Sequence, residues 1–202
     1  FPFDQTAQTH DLDIASFERL SLALEDVVSE PLRKVLGEFA FEALPTLDRD
    51  RIWRWKQTRS ALLVEFLTPS FEEDEGLRPL TAFGVHAQAL HYLNYLIAGP
   101  IAVAVTYRSG VLVQIPRPER FALHKLIIAD RRRDGPDSLK AVKDRAQAAF
   151  LIDLLAEDRP DDLIEAYEDA ISRGPRWRER LGASLKRLPA SAEKLRALGL
   201  VV

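Results

Sequence analysis

Thr9-His10-Asp11-Leu12-Asp13-Ile14-Ala15 alternates polar and apolar residues around Leu12 and Ile14, the period of a strand with one wet face. Residues two apart on a strand point the same way, so this reading sets the carboxylates of Asp11 and Asp13 side by side. Two interpretations are open at this point. The pair is either part of a site for a hard cation, which takes one or two carboxylates plus phosphate oxygens, or two polar residues facing water from a half-buried strand.

The next informative stretch is Leu63-Val64-Glu65-Phe66-Leu67, where one carboxylate interrupts an apolar strand. A buried carboxylate without a partner is costly. Glu65 therefore calls for a metal or a cation if it faces inward, and for an arginine on the exposed face if it does not. Residues 52–57 and 62–67 read as two strands joined by a turn at 58–60, with Pro69 ending the second. Residues 30–41 carry Leu32, Val35, Leu36 and Phe39 at helical spacing. The acidic run 71–80 reads as a solvated loop and 87–97 as a helix, followed by a hairpin of 101–107 and 111–115 across Arg108-Ser109-Gly110.

From Pro118 the pattern turns helical. Proline suits a first helical position, and this helix is expected to run to about Arg132. Asp137 or Ser138 can cap the next helix, in which Leu139, Val142, Ala146, Ala149 and Phe150 are expected to line the packed face. Pro160, Gly174-Pro175 and Pro189 punctuate two or three shorter helices. Strands early and helices late predict an α+β fold: a sheet domain over 1–116 and a helical region over 117–202.

The helix from Pro118 also carries charge. Lys125 and Arg132 are seven apart and share a face, Arg131-Arg132-Arg133 closes the segment, and Lys143-Asp144 follows. Such a stripe suits triphosphate oxygens, Arg as a fork and Lys as a point charge, or equally a cationic last turn favourable to the helix dipole. The net charge of −3 over 202 residues leaves phosphate binding to local clusters of this kind. The chain has no cysteine, which excludes disulfides and thiolate metal sites and suits a reducing cytosol. Apolar runs are too short to span a bilayer and no signal peptide is visible. Four scattered histidines, His10 and His124 among them, argue against zinc, and Trp53, Trp55 and Trp177 are expected to pack rather than stack on a base. The chain opens at Phe1 and holds no Met, so an upstream segment is expected to be missing.

Taken in order, Thr9-x-Asp11-x-Asp13, Val64-Glu65-Phe66-Leu67-Thr68-Pro69, Pro118-Glu119-Arg120-Phe121-Ala122-Leu123-His124-Lys125-Leu126 and Lys143-Asp144-Arg145-Ala146-Gln147-Ala148 resemble a bacterial nucleotidyltransferase-like family. That family belongs to the DNA polymerase β-like superfamily and is distantly similar to abortive-infection toxin nucleotidyltransferases. The resemblance implies a mixed sheet with flanking helices and a helical C-terminal region. It implies metal-binding and catalytic roles for Asp11, Asp13 and Glu65, where Asp is the commoner third residue. It implies nucleotide contact for Lys125, Arg132 and Arg133, and a catalytic or helix-orienting role for Asp144. Mg²⁺ or Mn²⁺, a nucleoside triphosphate such as ATP, and tRNA or another RNA as acceptor follow as expected cofactor and partners, in the cytoplasm. The superfamily's Gly-Gly or Gly-Ser turn is absent before Asp11, and with it a catalytically degenerate binding module is the alternative.

Overall fold

The computed structural model describes residues 11–17, 32–46, 51–106 and 109–202. Thr9, His10, Glu30, Tyr107 and Arg108, on which parts of the expectations fall, lie outside them. The described residues group into two compact units, one ending at Asn94 and one running from Tyr95 to Val202. The division expected near residue 116 falls inside the second.

The first unit is a mixed sheet. Its elements are β1 (Asp11–Ala15), α1 (Leu32–Glu38), β2 (Phe41–Ala43), β3 (Arg54–Gln57), β4 (Leu63–Pro69), β5 (Leu77–Leu80) and β6 (Val85–Leu90). The strands run in the order β2-β3-β4-β6-β5, with β1 also paired to β4. β4 is parallel to β1 and to β6, while β2–β3, β3–β4 and β5–β6 are antiparallel. One face of this sheet is apolar: Val64 and Phe66 pack with Leu36, Trp55, Leu80, Val85 and Ala87. Trp55 meets Phe66 edge to face at 5.1 Å. Because side chains alternate along a strand, the burial of Val64 and Phe66 turns Glu65 to the opposite face.

Two expectations need correction here. Residues 87–97 do not form one helix: β6 occupies Val85–Leu90 and only Leu93–Leu96 (α2) is helical. Val-His-Ala-Gln-Ala-Leu is rich in helix formers, yet Val85, Ala87 and Ala89 are buried and the residues between them are half-buried, a period of two. Pairing with β4 and β5 overrides local propensity. The acidic run is likewise not all loop, since 77–80 is β5 and Leu80 is fully buried. Arg78 at the start of β5 gathers Glu72 at 2.7 Å and Asp74 at 2.6 Å, which offsets the repulsion within the run.

The second unit opens with an antiparallel hairpin, β7 (Ile101–Val105) and β8 (Val111–Ile115), in which Val103 pairs Val113. Five helices follow: α3 (Pro118–Arg132), α4 (Ser138–Asp158), α5 (Pro160–Ser172), α6 (Pro175–Leu185) and α7 (Pro189–Ala197). α3, α5, α6 and α7 each begin on proline, whose missing N–H falls in the turn where backbone donors lack helical acceptors anyway. α3 is central, packing on α4, α5 and α6 with Ala122, Leu123, Leu126, Ile127 and Ala129 fully buried. Ser184 on α6 donates to the carbonyl of Leu126 at 2.6 Å.

The packed face of α4 differs from the expected one. Leu139, Val142 and Phe150 are 84%, 57% and 37% exposed, whereas Ala141, Asp144, Ala148, Ile152 and Leu155 are buried. Small side chains at 141 and 148 allow close approach to α3, and Asp144 is drawn inward by two cations of that helix. Among the described residues no helix is long and apolar enough to cross a membrane.

Candidate active site on the carboxylate face

The parallel register of β1 on β4 sets Asp11 opposite Leu63 and Asp13 opposite Glu65. On the other side of β4, the antiparallel register sets Arg54 opposite Glu65 and Lys56 opposite Leu63. Directly paired residues project to the same face. A row therefore runs straight across three strands, Arg54–Glu65–Asp13, on the face opposite the apolar core, and Asp11 flanks it two residues along β1. Asp11 and Asp13 are exposed, and the Glu65 side chain is 22% exposed.

Arg54 Nη1 lies 3.7 Å from Glu65 Oε1, a Coulombic contact beyond hydrogen-bond reach. The same guanidinium stacks over the Trp53 ring at 4.6 Å. The arginine foreseen as the outward-facing partner of Glu65 is thus present together with the aspartates on Glu65's own face. Three hard oxygen donors on neighbouring strands are suitable chemistry for Mg²⁺ or Mn²⁺. Among the described residues no three His, Asp or Glu side chains form a gathered ligand set. Phosphate oxygens and water would complete any such coordination.

The basic residues of α3 and its C-cap are placed differently. Lys125 donates to Asp144 Oδ1 at 2.7 Å and Arg132 to Asp144 Oδ2 at 2.6 Å, so one buried carboxylate is clamped by two cations. The seven-residue spacing puts both cations on the face that meets α4. Arg133 pairs with Asp130 at 2.9 Å and Asp134 at 2.7 Å. All these contacts are internal to the helical unit, and Asp144 ties α3 to α4. His124, beside Lys125, is buried with no partner for Nε2, and its pKa is pushed down to about 3, first by burial and then by the Lys125 charge. Trp55 belongs to the sheet core and Trp177 packs edge-on against buried Tyr95 at 5.4 Å.

Sequence reading did not pick out Arg54. The signal was available in Arg54-Trp55-Lys56: once Trp55 is assigned to the core, its neighbours must share the face of Glu65.

Two aspartates of β1 and a glutamate of β4 thus share one face of the sheet, without forming a gathered set among the described residues. Over residues 1–172 the chain matches the family described as nucleotidyltransferase, and it belongs to that family. No curated protein matches it closely enough to add to this. Among solved structures it is similar to an antigenic nucleotidyltransferase-like protein from Paracoccidioides brasiliensis. The two share 14% identity over 87% of this chain and 75% of the other, with a TM-score of 0.36.

Proposed function

We propose that the carboxylate face catalyses metal-dependent transfer of a nucleoside monophosphate from a nucleoside triphosphate to an acceptor hydroxyl. The observation that carries this reading is the register of β1 on β4, which pairs Asp13 with Glu65 and sets Asp11 beside them in a chain of the nucleotidyltransferase family. In the reaction the acceptor oxygen bonds to the α-phosphorus, and the bond from that phosphorus to the bridging oxygen breaks. Pyrophosphate leaves with the electron pair, and the hydroxyl proton passes to a carboxylate of the set. Asp11, Asp13 and Glu65 would hold Mg²⁺ or Mn²⁺, which when bound neutralises charge on the phosphate oxygens. The chain's own contribution is to fix these oxygens on a rigid strand pair, so that positioning and electrostatics do most of the work.

As a separate proposal, within the helical unit, Lys125, Arg132 and Arg133 bind triphosphate oxygens and Asp144 orients the first two. Lys125→Ala then weakens triphosphate binding by about 1.5–3 kcal/mol, the range for a lost charged hydrogen bond. Unchanged affinity in a titration would leave Lys125 with the Asp144 clamp as its whole role. A hydroxyl of tRNA or another RNA in the cytoplasm is the acceptor to look for first.

A second reading, a catalytically degenerate binding module, has one observation on its side: Glu65 faces a cation while no gathered ligand set exists among the described residues. Incubating the full-length protein with labelled nucleoside triphosphates, Mg²⁺ or Mn²⁺ and total cellular RNA separates the two. Label transfer that needs metal and disappears in Asp13→Asn supports the transferase. Nucleotide binding without any transfer supports the module, and undiminished transfer in Asp13→Asn removes Asp13 from the mechanism.

A further inference from the structure

We propose that Arg54 is a triphosphate ligand of the carboxylate face, resting on Glu65 until nucleotide arrives; this deepens the transferase reading and rests on it. Position comes first. Arg54 is directly opposite Glu65 in the β3–β4 ladder, and Asp13 is directly opposite Glu65 in the β1–β4 ladder, so the guanidinium ends the carboxylate row on a shared face. Trp55, 3% exposed in the core, anchors β3 and fixes which way Arg54 projects.

The state of the guanidinium points to a missing acceptor. Arg132, Arg120 and Arg180 in the helical unit reach carboxylates at 2.6, 2.7 and 2.8 Å. Arg54 stands off Glu65 at 3.7 Å, and its Nε is shielded from water with no hydrogen-bond acceptor. The Arg54 side chain is 39% exposed, so its terminal nitrogens, rather than the shielded Nε, are the donors a phosphate can reach. The Trp53 ring at 4.6 Å braces the plane of the group from one side. A planar, braced fork at the end of a carboxylate row matches the oxygens of a phosphate bound to that row. Asp13 and Glu65 would meet the nucleotide through its metal, whereas Arg54 can meet the phosphate directly.

The assignment gives opposite signs for two ligands. Without nucleotide, Arg54 repels a divalent cation from the carboxylates; with nucleotide, it attracts the phosphates. The test uses the full-length protein and its Arg54→Gln and Arg54→Lys variants. Mn²⁺ binding is followed by electron paramagnetic resonance, and binding of α,β-methylene ATP, in which the bond to be broken is blocked, by calorimetry. Arg54→Gln is expected to bind Mn²⁺ alone about three- to fivefold more tightly, as expected for removing one charge near 4 Å in a watery setting. It is expected to bind the analogue about tenfold more weakly, the lower end for a charged hydrogen bond. Arg54→Lys, which keeps the charge and loses the fork, should restore wild-type Mn²⁺ affinity and only part of the nucleotide affinity.

Equal analogue binding by wild type and Arg54→Gln would overturn the proposal while leaving the transferase reading intact. Parallel weakening for both ligands would also overturn it, because that is the signature of a disturbed β3–β4 pair. A wild-type protein that binds neither Mn²⁺ nor the analogue would overturn the transferase reading and this one with it.

Discussion

The two units handle charge in opposite ways. In the helical unit, two carboxylates are buried between paired cations: Asp144 is 4% exposed between Lys125 and Arg132, and Asp130, 8% exposed, is shared by Arg133 and Arg180. Glu119, fully buried at the start of α3, is held by Arg117 with Arg159 at 3.9 Å. In the sheet unit, Asp11 and Asp13 are exposed on a strand face, and Glu65 meets its arginine only loosely. Buried pairs with short contacts fix how helices dock. Carboxylates aligned across a ladder are displayed on a strand face. The contrast separates charges paired inside a helix bundle from charges displayed on a strand face, although both sets contain Asp, Glu, Lys and Arg in similar sequence contexts.

The sharpest way to break this contrast is to exchange a carboxylate for its amide in the sheet. Glu65→Gln should lower transfer by about a hundred- to a thousandfold, the scale on which a preorganised electrostatic contact acts on a reaction. Thermal unfolding of the variant should stay close to wild type, because a partly exposed ion pair adds little stability. A large drop in midpoint with the loss of transfer would move Glu65 into the architectural class.

The corresponding change in the helical unit should do the reverse. Asp144→Ala removes the shared partner of two partly exposed cations, Lys125 and Arg132, and is expected to cost about 1.5–3 kcal/mol in urea unfolding, the range for hydrogen bonds to charged groups. A cost below about 1 kcal/mol would mean that the clamp opens easily to water.

His124 supplies a pH-dependent version. Its folded pKa, about 3, lies below the unfolded value of 6.5, so the unfolded chain binds the extra proton across that interval. Stability is undiminished above about pH 6.5 and should fall by about 1.4 kcal/mol per pH unit as the pH drops towards 4. Asp169, whose burial raises its pKa but whose partners Arg173 and Arg120 bring it below 3.8, loses its contribution only at still lower pH. His124→Leu should flatten the slope between about pH 4 and 6.5, and an unchanged slope would assign it to other groups.

The smallest effect sharpens the assignment of faces on α4. Leu139→Asn, at a position 84% exposed, should change stability by no more than about 0.5 kcal/mol. A loss of several times that would show Leu139 to be covered in solution.

Much of the fold was legible because its signals were local. Proline marked the starts of α3, α5, α6 and α7, and an apolar run broken by one carboxylate, closed by Pro69, identified β4. That Asp11 and Asp13 share a face could be foreseen because strand geometry alone fixes it, but the face of Glu65 was left open, and its pairing with Asp13 required the register. The misreadings came where non-local partners decide. Ala87 and Ala89 are helix formers drafted into a strand by β4 and β5, and the large apolar Leu139 and Val142 lost the buried face of α4 to small alanines and a paired aspartate. Arg54 escaped notice because arginine on a strand is unremarkable until its opposite number is known.

The same registers bear on the order of assembly. β3 and β4 are joined by a short turn, so Arg54 finds Glu65 by local zippering. Asp13 must close a loop of roughly 50 residues before it meets Glu65, an entropic cost that delays such contacts in folding. During refolding the Arg54–Glu65 half of the row is expected to exist before Asp13 joins it. Pulse-labelled hydrogen exchange should therefore find β3 and β4 amides protected ahead of those in β1, and simultaneous protection would mean that the three strands condense as one nucleus. If β1 does arrive last, a newly made chain exposes Glu65 already neutralised by Arg54. Premature capture of a divalent ion by a half-built ladder is then disfavoured by the very residue that later receives the phosphate.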